Sequence, residues 1–418
     1  MRRHLALLAG AVCLSLGLSA CGSTGAGAGD AAAKDRTLTI WADEKRADVL
    51  RPFAEAFAAK KGVRAEVVGI PQNQQQEFVD ASKAGRAPDV MVGAHDWIGN
   101  LVQNDLIDPV EVLDNRLGDY VDVARRAVTY QGKYYAIPYA VESLVLFRNT
   151  ALVPEAPRTF DDLVATGETL RKAGKVSQAL GYTVSSPDGQ AGDTYHMYPL
   201  FSSAGGYLFG SDSRGDSDPS DLGVGKPGSV AAFEKIAALG EKGSGVLRNS
   251  YSSDSSAAAF LSGKTPFLVS GPWRLSDVRS AGMKYAISPV PGFAGKEPAR
   301  SFVGVQSFFV ASKGKNKDLG QEFVLSTLGN LELADALFKA EPRMPALKEA
   351  LDHARQGDPD VGAFEQAAAA GVPLPSIPQM SAIWGPFNTL IHQAVKGDPV
   401  PPAVAAANKA IKDQLGVR

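Results

Sequence analysis

Thiols are nearly absent from this chain: of 418 residues only Cys13 and Cys21 are cysteine. Everything after residue 21 therefore lacks a thiol that could pair, hold a metal or attack a substrate, and stability must come from burial. Histidine is sparse as well. His4, His95, His196, His353 and His392 show neither the His-Glu-x-x-His pattern nor any other ligand spacing, so no metal site and no cofactor is expected. Charge of one sign is missing too: 43 Lys and Arg stand against 45 Asp and Glu, a net charge of −2. That balance carries no nucleic-acid footprint and admits neutral ligands. The apolar run from Leu5 to Leu18 is 14 residues long, short of the roughly 20 that a spanning helix needs.

What is present begins at the N-terminus. Arg2 and Arg3, the Leu5–Leu18 run and Leu18-Ser19-Ala20-Cys21 describe a secretory signal ending in a bacterial lipobox. Residues 1–20 are expected to be removed, Cys21 to carry a lipid, and residues 21–36, rich in Gly and Ala, to form a flexible tether. This puts the protein outside the cytoplasm, lipid-anchored at the cell membrane. The remaining length suits two domains.

Thr37–Trp41 reads as a strand, and Val49, Leu50, Phe53 and Phe57 recur at helical spacing through Lys60. Arg64–Ile70 reads as strand, Pro88–Val92 as strand, and Gln131-Gly132 as a turn, with strands at Lys133–Pro138 and Glu142–Phe147. Thr159 is placed to cap a helix. Helix near Ala231–Leu239, strands at Pro266–Val269, Tyr285–Val290 and Ser307–Ala311, and helix at Lys317–Leu328 continue the alternation. Gly205–Gly228 reads as the longest irregular stretch. Strands alternating with helices argue for an α/β fold.

Most local motifs fail on context. Gly223-Val224-Gly225-Lys226-Pro227-Gly228 fits G-x-G-x-x-G by letter, but no strand enters it. Gly263-Lys264-Thr265 lacks the first glycine of a phosphate loop, since Ala258 stands there. Asp212, Asp216, Asp218 and Asp221 lack EF-hand spacing. Carboxylates and aromatics at the carboxyl ends of strands remain, where open α/β sheets bind ligands. Carboxylates accept hydrogen bonds from sugar hydroxyls and aromatic faces cover the C–H side of a pyranose. Tyr195, Trp273 and Trp384 are candidates for that stacking, and Trp41, inside a strand, is read as core.

At these residues the chain resembles the maltose/maltodextrin-binding proteins, the solute-capturing components of carbohydrate ABC importers. The resemblance runs in order through Leu38-Thr39-Ile40-Trp41, Ala94-His95-Asp96, Ala140-Val141-Glu142, Tyr198-Pro199-Leu200, Ala204-Gly205-Gly206-Tyr207, Ser270-Gly271-Pro272-Trp273, Phe302-Val303-Gly304-Val305 and Ile377-Pro378-Gln379-Met380-Ser381-Ala382. It implies a two-lobed periplasmic-binding-protein-like α/β fold with three inter-lobe crossings, near Ala140–Glu142, Phe302–Gln306 and Ala350–Gln356. The implied N-terminal lobe is residues 37–140 plus 305–352, and the C-terminal lobe 141–304 plus 353–418.

The resemblance also implies a sugar site. Asp96 and Glu142 match carboxylates that bind glucosyl hydroxyls, and Trp273, Trp384 and Tyr195 match stacking aromatics. His196 replaces a neighbouring aromatic, and Asp43, Glu44 and Lys45 match a carboxylate and lysine segment in residue type. Two departures stand out. Where several members read Trp-Ala-His-Asp-Arg, this chain reads Gly93-Ala94-His95-Asp96-Trp97, and Gly385 and Asn388 stand where an aromatic and an arginine are common. The expectation is a monomeric, non-enzymatic receptor that binds maltose or maltodextrin, is anchored to the membrane and delivers the sugar to the permease subunits of an ABC importer. A receptor for trehalose, a cyclodextrin or another oligosaccharide is the first rival. A surface glycoside hydrolase built on Asp96 and Glu142 is the second.

Overall fold

A computed structural model describes residues 36–112, 116–212 and 217–416. The signal, Cys21 and the tether up to residue 35 lie outside the described residues. Arg36, expected in the tether, is instead docked: its Nε donates to Asn316 Oδ1 at 3.1 Å and its guanidinium pairs with Asp318.

The chain enters through β1 (Thr37–Ala42), α1 (Glu44–Lys61) and β2 (Arg64–Gly69). Leu38, Ile40 and Ala42 are fully buried while Thr39 and Trp41 between them are half-buried, the period of two that a strand imposes. After β3 (Val90–Ala94) come β4 (Ile137–Ser143) and, past a break at Leu144, β5 (Val145–Asn149). Then follow α2 (Thr194–Ser203), β6 (Phe267–Ser270), β7 (Tyr285–Pro289), β8 (Phe302–Ala311), α3 (Leu331–Ala340), α4 (Lys348–Gly357) and α5 (Ser381–Lys396), among other elements. The helix expected after Thr159 begins there with a reciprocal capping box to Asp162 at 3.0 and 3.1 Å.

Two sheets organise two lobes. The first has eight strands, with β4, β8, β3, β1 and β2 side by side along most of its width. β1 runs parallel to β2 and β3, whereas β8 is antiparallel to both β3 and β4. The second has four strands, in the order β7, β5, β6 and Gly181–Tyr182. Leu146 and Val269 pack into one core below it, Val145, Phe147 and Leu268 into another above it, so both faces are covered.

The chain moves between the cores three times. It leaves the first between Val141 and Leu144, returns between Phe302 and Val303, and leaves again between Val361 and Phe364. The first two passages are paired antiparallel strands, tied further by Ser143 Oγ donating to Phe302 O at 3.1 Å. Three readings change. β8 extends to Phe302 because Gly304 and Gln306 interrupt its apolar pattern without interrupting its ladder, and Ala350–Gln356 lies inside helix α4, the third passage falling a few residues later. Gly205–Gly228 holds a half-buried two-stranded ladder, Phe209–Ser211 with Ser217–Leu222, and the start of a helix from Pro227. Among the described residues no helix is long and apolar enough to cross a membrane.

Candidate functional site

The carboxyl end of β3 runs into one tight turn, His95–Trp97. His95 is fully buried and fixed at both nitrogens: Val305 N donates to Nδ1 at 3.1 Å, so Nε2 carries the proton and donates to Leu374 O at 3.0 Å. Burial holds this imidazole down to about 4, and a neutral ring is what both bonds require. Asp96 follows on this rigid seat. Burial, set against its own backbone N–H and aided by the charge of Glu142, pushes its carboxyl up to about 7.

Glu142 stands near the end of β4, over Gly304 of β8. Its Oε1 accepts from Gln306 Nε2 at 3.0 Å and its Oε2 faces Arg343 at 2.6 Å. Arg343 also pairs through Nε with Glu341 at 2.8 Å, and Glu341 meets Arg46, whose other nitrogen lies 2.6 Å from Asp43. These charges thus run in one chain from the start of α1 to the first inter-lobe strand. Asp43 caps α1, accepting from Arg46 N at 3.3 Å. Glu44 and Lys45 are exposed on the first turn, with Lys45 Nζ 3.7 Å from Glu341. A small open pocket borders the network at Lys45, Arg46, Tyr139, Glu341 and Arg343. It belongs to the first lobe, and none of the candidate aromatics lines it.

The second lobe supplies the aromatics. α2 is capped twice: Asp193 accepts from His196 N at 2.9 Å, and Asn388 Oδ1 of α5 accepts from Thr194 N at 2.9 Å and Thr194 Oγ1 at 2.5 Å. Burial opposes the charge of Asp193, but the His196 imidazole, 3.0 Å away, and the N–H groups of the first turn outweigh it and hold the carboxyl below its usual range. Tyr195 and His196 therefore stand on a fixed helix end. Their ring centroids lie 6.2 and 6.1 Å from Trp273, with Phe302 6.1 Å from Tyr195. The Tyr195 hydroxyl is buried without a hydrogen-bond partner among the described residues, and burial first, then the charge of Glu142, pushes it well above its ordinary range. Arg343 closes the circle, with its guanidinium 5.9 Å from the Trp273 ring.

The structure thus brings Asp96, Glu142, Tyr195, His196 and Trp273 together. Trp384, half-buried on α5, packs on the same core as Tyr195 and Trp273, and Asp43 joins through the ion-pair chain. Trp41, read as core, is half-buried against the first lobe's core. Tyr139, Gln306, Glu341 and Arg343 were not visible as site residues in the sequence; only the alternating Glu341-Pro342-Arg343 just past α3 hints at them. No group of three or more His, Cys, Asp or Glu among the described residues is arranged to hold a metal ion.

This arrangement offers carboxylate acceptors beside aromatic faces, a constellation that suits a polyhydroxylated ring. Comparison with known proteins agrees. The galactooligosaccharide-binding protein of Bacillus subtilis is 27% identical over 418 residues, covering 96% of this chain and 95% of the relative. The maltooligosaccharide ABC transporter solute-binding lipoprotein of Streptococcus pneumoniae serotype 4 is 28% identical over 422 residues, covering 98% and 96%. In three dimensions the chain is similar to the Thermus thermophilus maltotriose binding protein bound with maltotriose, with a TM-score of 0.79 and 28% identity over 91% of this chain and all of that one. Residues 53–363 match the family described as bacterial extracellular solute-binding protein, and with three-quarters of its length so matched, on a two-lobed α/β fold, the chain belongs to that family.

Proposed function

We propose that the protein is an extracytoplasmic receptor that binds maltose or a maltodextrin between its lobes and delivers it to the permease subunits of an ABC importer. One observation carries the reading: the charge of Glu142, half-buried on the first sheet, reaches Asp96, half-buried on the turn after β3, and both reach the hydroxyl of Tyr195, which packs against Trp273 in the other lobe. Carboxylates facing an aromatic platform take the hydroxyl rim and the C–H face of the same sugar. Trp384 adds a second stacking face, His196 a ring nitrogen, and Asp43, Glu44 and Lys45 a polar margin. A sugar touching both lobes favours the closed form of the hinge. The receptor works as a monomer, tethered through a lipid on Cys21.

Binding without turnover is part of this reading, because Glu142 is held by Arg343 and Gln306 and is not free to attack or to activate water on a glycosidic bond. A day's incubation with maltotetraose tests it: stoichiometric binding with no new reducing ends supports a receptor, and accumulating maltose supports a hydrolase. The relative named for galactooligosaccharides favours a second reading, the same receptor for a galactooligosaccharide. Replacing Cys21 by Ala should release the protein from the membrane, and retention of that variant would remove the anchor.

A further inference from the structure

The lobes are also tied at the third passage, by four side chains that the sugar site does not use. Asp358 ends α4, its N–H donating to Ala354 O at 2.8 Å, and Asp360 follows two residues on. Both stand between Ala354 and Val361, which pack in the first lobe's core. Arg279 and Tyr285 belong to the second lobe: Arg279 lies on the short helix Leu275–Ser280, whose Leu275 and Val278 pack above the second sheet, and Tyr285 opens β7. Arg279 Nη2 donates to Asp358 Oδ1 at 2.5 Å and to Asp360 Oδ2 at 2.6 Å, and the Tyr285 hydroxyl donates to the same Asp360 oxygen at 2.6 Å. The two carboxylates are only 10% and 18% exposed, the guanidinium 38%. One cation thus serves two acids held side by side, with Asp360 N donating to Asp358 Oδ1 at 3.0 Å. Withdrawing Arg279 would leave two like charges short of a partner, so parting these surfaces costs free energy. The cleft is closed in the same arrangement, since Arg343 of the first lobe lies 5.9 Å from the Trp273 ring of the second.

We propose that Arg279, Tyr285, Asp358 and Asp360 form an electrostatic latch that favours the closed form, so that affinity for an uncharged sugar is set in part by ion pairs outside the sugar site. This rests on the receptor reading of the protein but not on which sugar fills the cleft. A ligand that closes the lobes gains the latch along with its own contacts, and a chain without the latch spends part of its binding energy on closure. Pairs with a guanidinium this exposed weaken as salt rises, which makes the binding of a neutral ligand sensitive to ionic strength.

Calorimetry and stopped-flow kinetics with maltotriose and with a galactooligosaccharide, in about 0.01 M and about 1 M NaCl, test the latch on the wild type, Arg279→Gln, Arg279→Lys and a double variant carrying Asp358→Asn and Asp360→Asn. At low salt Arg279→Gln and the double variant should bind about 3- to 10-fold more weakly, with the change in the dissociation rate. Arg279→Lys, which keeps the charge without the fork, should recover part of the loss. High salt should bring the wild type toward the variants and leave the variants nearly unchanged. A cluster that serves the fold alone would lower the melting temperature without moving this salt dependence, and two separate disruptions keep the test decisive where one of them fails to fold. Variants that bind within about twofold of the wild type at low salt, or that keep its salt dependence, would overturn the latch and leave the receptor reading standing. A wild type that binds neither sugar would overturn both.

Discussion

Replacing Asp96 by Asn should stabilise the fold while weakening the site, and the two effects should depend on pH. In the folded chain burial and Glu142 move this carboxyl from its ordinary 3.8 up to about 7. Between those values the folded state keeps a proton that the unfolded chain releases, so the stability Asp96 provides is complete below pH 3.8 and is lost as pH rises to about 7. At 1.36 kcal/mol per pH unit the whole span is worth about 4 kcal/mol. The residue is half-buried rather than fully buried, and screening reduces this to about 2–4 kcal/mol. Asn is neutral throughout, so the variant should melt roughly 3–5 °C above the wild type at pH 8.5 and nearly with it at pH 4.5. Its affinity for maltodextrin should fall by about 1.5–3 kcal/mol, the worth of a hydrogen bond to a charged group. Wild-type affinity should rise with pH through 7 as the acceptor ionises, and the variant's should stay flat. Melting curves and calorimetry at the two pH values decide the matter: an Asp96→Asn protein less stable than the wild type at pH 8.5, or a difference independent of pH, would refute the reasoning.

Arg343→Ala leaves Glu142 and Glu341 short of a cation where side chains are only 10–12% exposed. Urea unfolding should show a loss of about 3 kcal/mol, the lower end for a broken buried pair because Arg46 and Gln306 remain, and Arg343→Lys should restore less than half, lacking the fork. Full stability in Arg343→Ala would mean that the network carries no weight. Asn388→Ala removes one of two caps from α2 and should cost about 1 kcal/mol in the same assay, with a matching loss of sugar affinity through Tyr195 and His196; an effect on neither would detach α5 from the site. Trp384→Ala should lose about 1–3 kcal/mol of maltodextrin affinity by calorimetry, and unaltered affinity would remove Trp384 from the site.

Much of the fold was legible because local pattern and tertiary packing agree. β1 alternates as a half-buried strand must, and Thr159 with Asp162 carries its cap in the sequence itself. Where they part, reading fails. Ser217–Leu222, with its Asp, Ser and Pro, carries no strand propensity, and its pairing with Phe209–Ser211 is a short, half-buried ladder with a shifted register. The start of β8 was hidden by Gly304 and Gln306, whose polar character serves Glu142 rather than a core. The site divides the same way. Asp96, Glu142 and Trp273 sit in short motifs at strand ends, where chemistry can be read locally. Arg46 and Glu341 are 295 residues apart, and nothing in either segment alone announces that the fold closes them into one network. Trp97 was visible as a departure, but only the contact with Gly93 says where its ring goes.

Titration calorimetry of the purified protein against maltose, maltotriose, maltotetraose and a galactooligosaccharide decides whether the cleft between the lobes takes an α-linked glucan. One maltodextrin should bind per chain, with weaker or no binding of the galactosyl sugar; saturable binding of the galactooligosaccharide with none of the maltodextrins would rule the glucan site out.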